Sequence, residues 1–452
     1  MKRFVVLLVI LAVLAAPLSV LAQGGHRETD PFWNPTPELI EEWRVIDGVE
    51  EGAQIRFWTM SLSPTFNDYI NKIVENFEAT YPEVDVIWED QPWDSLRDNV
   101  RNTIAAGNPA DVININPSWI SELAEAGSLM NMDEALAPYP EIRAQYVDGA
   151  WVEGSYDGVS YQIPWYLALR NFLAYNRAIL DEIGYDPADL PTTWAGLLEF
   201  AQYVRENSDY YAFSESWGEP SGLGIVGDFP YNDIPVWNED HTQVVFDTPE
   251  AVALLQSWID ALNNDLIPRE SLTDDHREMI DRFSEGEIAV LRMAPHMLRL
   301  VEENNPEVFA NLGIAPGITG TSGVNGVDVQ SLVIPAQTPY PNAALALAVF
   351  VTNPQTQAAF SKEVGIYPSN LLSYQDPFFQ EIEEGNIQSA IRPLAYDYVV
   401  NAENRPLSFP NSAEIEAIIR GETQAALLGV KTAQEAITDM QNRINEVLAA
   451  AQ

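Results

Sequence analysis

The sequence predicts an α/β protein built as two domains. Strand-like and helix-like segments alternate from residue 55 at a spacing that suits parallel pairing with right-handed crossovers. The 452 residues suffice for two domains of ordinary size, each with its own core. The segment 157–176, DGVSYQIPWYLALRNFLAYN, reads as the exit from one domain and the entry to another. In it Asp157-Gly158 suits a tight hairpin turn, whose two central residues take φ > 0. Pro164 interrupts the ladder, Trp165 and Tyr166 stand beside the break, and an apolar run closes on Tyr175-Asn176 after Arg170.

At the N-terminus Lys2 and Arg3 precede the apolar run 4–16, Pro17 breaks it, and Val20-Leu21-Ala22 places small residues at −3 and −1. This predicts a secretory signal peptide over 1–22. An uncleaved anchor is the other reading, although the run falls short of the ~20 residues that a span needs. Residues 23–52 hold Gly, Pro and many acids without sustained periodicity, so they predict a tether with a short helix at 37–43. A strand is expected at 55–58. Ser63-Pro64 offers an N-cap and a proline at N1, and Phe66, Ile70, Ile73, Val74 and Phe77 then recur at helical spacing. A strand at 84–88, a helix through Leu96, Val100 and Ile104, a strand at 112–115 and a helix ending near Gly127 follow. In open sheets of this kind ligands sit outside the carboxyl ends of the strands, here 58–63 and 114–119.

Beyond residue 176 most segments are helical. One helix covers 193–204, and another starts at Thr248-Pro249 with Val252, Leu255, Ile259 and Leu262 on one face. Residues 283–292 read as a helix end, a glycine and a short strand, and Pro295-His296 opens the next helix. Gly317, Gly320, Gly323 and Gly326 recur at every third position and predict a mobile loop. A strand at 327–335 would cross back between domains. The last helix opens on a Thr432/Glu435 capping box and aligns Ala436, Ile437, Met440, Ile444, Val447 and Leu448.

Composition narrows the function. The chain has no cysteine, which excludes disulfides and a lipid-modified cysteine at the leader. The formal charge of −44 argues against nucleic acid and anionic lipid as partners. The acids are spread along the chain, as on a solvated surface suited to a salty or acidic exterior; specific cation binding is the sharper reading. Lysine occurs only at 2, 72, 362 and 431, so most cations are arginines, which bind planar groups bidentately. Enzyme signatures are weak. Gly222, Gly224 and Gly227 match G-x-G-x-x-G but follow no evident strand, and Pro230 stops any helix. His26, His241, His276 and His296 show no zinc-ligand spacing, and no G-x-S-x-G turn is present. Acid pairs such as Asp274-Asp275 abound, and glycosidase chemistry would need two carboxylates across one cleft. No catalytic residue, cofactor or metal site is predicted.

Five segments resemble, in order, the extracellular solute-binding proteins of ABC importers, in the group that includes maltose- and oligosaccharide-binding proteins. PADVININPSWISELAEAGSL (109–129) is similar to the family's third strand, binding loop and helix. DGVSYQIPWYLALRNFLAYN resembles the first interdomain crossing, RFSEGEIAVLRMAPHM (282–297) the second, and NGVDVQSLVIPAQTPYPNAALALAVFVTNPQTQ (325–357) the third with its helices. GETQAALLGVKTAQEAITDMQNRINEVL (421–448) resembles the C-terminal helix pair. The resemblance implies a two-lobed, type II-like periplasmic-binding-protein architecture with three interdomain crossings. The first lobe would take 53–165 plus 293–328, and the second 170–288 plus 333–450. It also implies solute capture between the lobes, hinge closure and delivery to ABC permease subunits; the leader predicts a location in the periplasm or outside the cell, and a monomer is expected. Two positions depart from the family pattern: His296 stands where an aromatic often follows the crossing proline, and Ala168 where an acid is frequent.

The candidate ligand contacts are Trp58, Ser61, Asn114, Asn116, Ser118, Trp119, Trp165, Tyr166, Arg170, Trp217 and His296. A sugar ring offers a C–H face to an aromatic plane and a hydroxyl rim to Asp, Asn or Arg. Of the 12 tryptophans, Trp58, Trp119, Trp165 and Trp217 fall at predicted strand ends or loops, with core packing the other reading of each. Trp119 and Trp165 match cleft-lining positions of the family, whereas Trp88, Trp194 and Trp258 sit in periodic strands or helices and read as core. Asn114, Asn116 and Ser118 suit turn and capping chemistry equally well, and Arg170 suits an interlobe ion pair. A sugar, of oligosaccharide length, is the expected ligand. A polyamine, a phosphorylated polyol or a metal ion is the alternative within binding, and a secreted carbohydrate-active enzyme stands outside it.

Overall fold

A computed structural model describes residues 26–451, apart from 219–222, 385, 406, 408 and 410. The predicted signal peptide lies outside the described residues, as does Gly222. The strands are β1 (Ala53–Met60), β2 (Val84–Gln91), β3 (Val112–Ile115), the hairpin β4 (Ser155–Tyr156) and β5 (Val159–Ser160), β6 (Ile163–Leu169), β7 (Phe172–Asn176), β8 (Val290–Met293), β9 (Leu312–Ala315), β10 (Val327–Val333) and β11 (Tyr367–Pro368). Six of them form one sheet in the order β11-β6-β10-β3-β1-β2, and three form a second in the order β8-β7-β9. The α/β expectation and the two lobes are thus both present.

The alternation that predicted parallel pairing is realised: β1 runs parallel to β2 and β3. β10 runs antiparallel to both β3 and β6, so β6 shares the direction of β1–β3. Met60, Gln91, Ile115 and Leu169 therefore end at one edge of the sheet. Ile115 pairs with Ser331 but Leu169 with Val327, so β6 and β10 overrun β3 by four residues, about 13 Å at the usual rise per residue. That overhang carries the chain into the second lobe, beyond the carboxyl ends of β1–β3.

Helix Asn67–Thr80 buries Tyr69, Ile70, Ile73 and Phe77, as its spacing predicts. It starts after Phe66 rather than at the expected Ser63-Pro64 cap, because 62–66 forms a turn with the Phe66 amide on the Leu62 carbonyl. The second lobe packs helices Trp194–Asn207, Pro249–Asn263, Ser412–Leu427 and Ala433–Ala451 into one core. The last of these opens on the predicted box: the Thr432 amide donates to Glu435 Oε2 at 2.9 Å and the Glu435 amide to Thr432 Oγ1 at 3.2 Å.

Three expectations about organisation are corrected. Residues 26–52 are no free tether. The helix Pro37–Glu42 is there, capped by Thr36, but Phe32, Trp43 and Ile46 are buried in the first-lobe core. The lobe boundaries also shift. β8 and β9 pair with β7, so 290–315 belongs with the second lobe, not the first. Helices Pro341–Val351 and Pro354–Glu363 share a core with Phe57 and Trp165, so they belong with the first lobe. The cause is local: Gly286, at φ +77°, turns the chain so that β8 returns beside β7 within one lobe. The chain passes between the sheets at 170–171, at 316–326, and between helices Arg392–Val400 and Ser412–Leu427.

These passages are laced together. Asn171 Nδ2 donates to Asn325 Oδ1 at 3.0 Å, the Glu403 amide to the Asn325 carbonyl at 2.9 Å, and Asn404 exchanges two hydrogen bonds with the Val327 backbone. The glycine loop, expected to be mobile, is held: a Cβ on Gly317 would stand 1.3 Å from the Asn171 carbonyl oxygen, and the Ser322 amide donates to the Tyr231 carbonyl at 3.1 Å. Glycine is needed there for close approach. Among the described residues no helix is long and apolar enough to cross a membrane.

Candidate ligand-binding site

The shared strand edge gives the first lobe a polar and aromatic rim. Trp93 opens helix Trp93–Ala105 just past β2 and is 49% exposed. Trp119, at the end of the turn Pro117–Trp119 after β3, meets it with ring centroids 5.9 Å apart. Ser61 Oγ accepts from the Trp93 amide at 3.0 Å and so fixes that helix start. Asn116 Oδ1 accepts from the Ser118 amide at 3.0 Å and from its hydroxyl at 2.7 Å. The capping reading of Asn116 and Ser118 is therefore realised, and their acceptor is largely spent. Trp93 was not among the predicted contacts. Its signal was there: β2 runs to Gln91, so the carboxyl-end rule extends to the residues after Pro92.

Three predicted contacts are placed in the core instead, and a fourth, Tyr166, packs against it. Trp165 is fully buried, stacked on Phe360 at 5.7 Å and tilted against Phe57 at 6.2 Å. Tyr166 is half-buried, edge-on to Phe360, and burial pushes its hydroxyl pKa up. The reason is that Pro164 does not end the strand. β6 continues to Leu169, and the exit falls at Arg170-Asn171, where Asn171 takes φ +60°. Trp58 is 4% exposed, packs with Leu96 and Ile113, and donates Nε1 to Glu89 Oε2 at 2.6 Å. Asn114 is buried and ties β3 to β10 through Nδ2 and the Ser331 carbonyl at 3.1 Å.

A cavity of about 450 Å³ opens in the second lobe and at the crossings. Its walls include Trp194, Trp258, Tyr231, Glu215, Asp228 and Arg292, with Arg170, Asn325 and Gly326 from the crossings and none of the described residues of 53–165. Trp194 and Trp258 lie 3.9 Å apart, tilted by 37°, and Trp194 Nε1 donates to Ser257 Oγ at 3.0 Å. A neighbouring hollow of about 290 Å³ shares Glu215, Asp228, Trp258 and Arg292 and adds Trp217, edge-on to Trp258 at 5.0 Å. Of the predicted contacts, Arg170 and Trp217 reach these walls. Arg170 is also held by Asp328 of β10, with Nε 2.8 Å from Oδ1: the ion-pair reading is realised, but within the first-lobe sheet's edge and not between lobes. His296 lies in the turn Pro295–Met297, whose neighbours Ala294 and Met297 line the cavity; its side chain lies outside the described residues.

The charges in the cavity are set by burial and by one another. Arg292 Nη1 donates to Glu215 Oε1 at 2.6 Å. Burial pushes the Glu215 and Asp228 carboxyls above their ordinary range despite Arg292. Burial works against the Arg292 charge as well, and the two carboxylates outweigh it and raise its pKa. Glu215, Asp228 and Tyr231 carried no sequence motif, Arg292 lay within the segment 282–297 without being singled out, and Trp194 and Trp258 obeyed a helical period that read only as core. Each serves both core and wall, which one period cannot distinguish. No group of three or more acidic or histidine side chains with the geometry of a metal site occurs among the described residues.

Residues 63–358 match the family of bacterial extracellular solute-binding proteins. A relative from Brucella abortus named as a binding protein is 23% identical over 358 residues, covering 74% of this chain and 82% of that protein. A crystal structure described as a "putative oligosaccharide periplasmic-binding protein" from Synechococcus sp. MITs9220 is 25% identical, with a TM-score of 0.74 over 88% of this chain and 99% of that one. The sugar-binding protein MalE from Xanthomonas citri shares the fold, with a TM-score of 0.73 and 22% identity over 88% and 98% of the two chains. With two sheets, three laced passages and a cavity where they meet, the chain belongs to the bacterial extracellular solute-binding protein family, as a substrate-binding component of an ABC transporter.

Proposed function

We propose that the protein captures a sugar, of oligosaccharide length, and delivers it to a membrane permease. The observation that carries this reading is the second-lobe cavity, whose wall holds Trp194, Trp258 and Tyr231 together with Glu215, Asp228 and Arg292. Aromatic planes bury the C–H face of a pyranose, while carboxylates and a guanidinium pair its hydroxyl rim. A volume of about 450 Å³ falls in the range of small-ligand pockets, about 300–1,000 Å³. One end of an oligosaccharide would seat there first, and hinge closure would bring Trp93 and Trp119 onto the rest. The names of the Synechococcus and Xanthomonas proteins support the same ligand class.

A phosphorylated polyol is the second reading. An sn-glycerol-3-phosphate-binding periplasmic protein of Brucella abortus is 20% identical over 421 residues, covering 87% of this chain and 93% of that protein. The test is a panel of neutral oligosaccharides and phosphorylated polyols, read by melting temperature and tryptophan fluorescence. A saturating ligand at 100 times its Kd adds about 2.7 kcal/mol by mass action. A panel of saccharides that moves neither signal removes the sugar reading.

A further inference from the structure

We propose that Asp228 and Arg292 act as an acceptor–donor pair that reads two neighbouring hydroxyls of the solute and turns away phosphorylated polyols, a refinement that rests on the sugar reading above. Arg292 spends only Nη1, on Glu215. Its Nε is buried without a partner, and Nη2 donates to no described residue. The carboxylate of Asp228 accepts from no described residue; only its backbone carbonyl is engaged, by Asn232 Nδ2 at 2.9 Å. Both side chains line the main cavity and the adjoining hollow. A half-buried guanidinium with an enclosed, unpartnered Nε and a half-buried carboxylate thus share one cavity wall with hydrogen-bonding capacity unspent, and the orphaned Nε is costly unless a ligand completes it.

The complement of that pair is a diol. A hydroxyl both donates and accepts, so one sugar oxygen can take a proton from Arg292 while its neighbour gives one to Asp228. A phosphate oxygen only accepts. It would satisfy Arg292 but face the carboxylates of Asp228 and Glu215, two negative groups around one positive one. The other charged groups on the wall do not change the balance. Arg170 is held by Asp328, and His276 has a partner of its own. Asp228 is therefore the residue that separates a neutral polyol from a phosphorylated one of similar size.

The experiment is isothermal titration of the purified protein and its Asp228→Asn variant at low ionic strength. The probes are maltose, maltotriose, cellobiose and sn-glycerol 3-phosphate. Wild type is expected to bind a saccharide and not the phosphate. Asp228→Asn is expected to weaken that saccharide by about tenfold, about 1.4 kcal/mol, and to gain measurable phosphate binding. Asp228→Ala, with a matched melting curve for each variant, guards against a folding defect. If Asp228→Asn keeps wild-type saccharide affinity, the pair is wrong while the sugar reading stands. If wild type binds the phosphate as tightly as any saccharide, both fall. If wild type binds none of the saccharides, the sugar reading loses, and the pair, which rests on it, falls with it.

Discussion

Arg170, in the first passage of the chain, pairs with Asp328 at the start of β10, with Nε 2.8 Å from Oδ1. Burial works against the Arg170 charge, but the Asp328 carboxylate more than offsets it and raises the pKa. The side chains are 43% and 58% exposed, and pairs this wet contribute about 0–1 kcal/mol. A double-mutant cycle with Arg170→Ala and Asp328→Ala, read from urea midpoints, is expected to give a coupling of about 0.2–1 kcal/mol. A coupling above about 2 kcal/mol would mean that this pair, rather than the backbone lacing at Asn325 and Asn404, holds the passages together.

Trp165 and Trp119 share a residue type and a place at a predicted strand end, but their expected responses to mutation diverge. Trp165 is fully buried among Phe57, Tyr166 and Phe360, so Trp165→Ala should cost about 3–5 kcal/mol of stability. Trp119 lies at the rim against the exposed Trp93, so Trp119→Ala should cost under about 1 kcal/mol and act on ligand affinity instead. Chemical denaturation and titration of both variants separate the two. A Trp165→Ala protein of unchanged stability and lost affinity would put Trp165 back in the cleft.

That contrast shows where the sequence was legible. Parallel order at β1–β3 and the last helix follow from local periods and caps, whereas the exit at 170–171 lies six residues beyond the break that Pro164 suggests. The capping box at Thr432 and Glu435 was readable because its partners lie three residues apart. Lobe membership after 288 was not, because it depends on β8 and β9 returning to β7 across more than a hundred residues. Trp194 and Trp258 show the same limit on a smaller scale. A helical period identifies their face as apolar, and only the packed structure leaves that face partly open to a cavity. Phe32 and Trp43 were hidden by their setting, a stretch rich in Pro and acids whose apolar residues have no regular spacing.

Stability should change with pH in two separate windows. Burial raises the Glu215, Asp228 and Glu153 carboxyls. From an unfolded value near about 4 up through those raised values, the folded form keeps protons that the unfolded form has released, so stability falls as pH rises. Glu83, Glu122 and Glu383 are held below their ordinary range by hydrogen bonds from Arg44, Arg101 and Arg392. Their contribution is present above the unfolded value and lost as pH falls through the lowered ones. The ligand-free melting temperature is therefore expected to rise from pH 7 towards about 5 and to drop below about 4. Relief of the −44 net charge acts in the same direction as the first window, so Asp228→Asn is the control. It should reduce the rise, and an identical profile would remove Asp228 from the account.

Lys362 fixes the N-terminal segment to the first lobe. Its Nζ lies 2.7 Å from Asp30 Oδ2 and 2.6 Å from Asp376 Oδ2, with side-chain exposures of 11%, 4% and 22%. Burial lowers the lysine pKa, but the two carboxylates raise it by more. Beside this group, Arg27 bridges to Glu363 at 2.8 Å, and Asp30 Oδ1 accepts from the buried Phe32 amide at 2.8 Å. Lys362→Ala would leave two carboxylates without their cation, and breaking such a pair costs about 3–5 kcal/mol. The loss should appear in the denaturation midpoint and as early proteolytic cutting near 26–35. Asp30→Asn with Asp376→Asn in the same chain should recover part of it, since no uncompensated charge then remains. A Lys362→Ala protein within about 1 kcal/mol of wild type, with the segment still protected, would mean that Phe32, Trp43 and Ile46 hold the strap by packing alone.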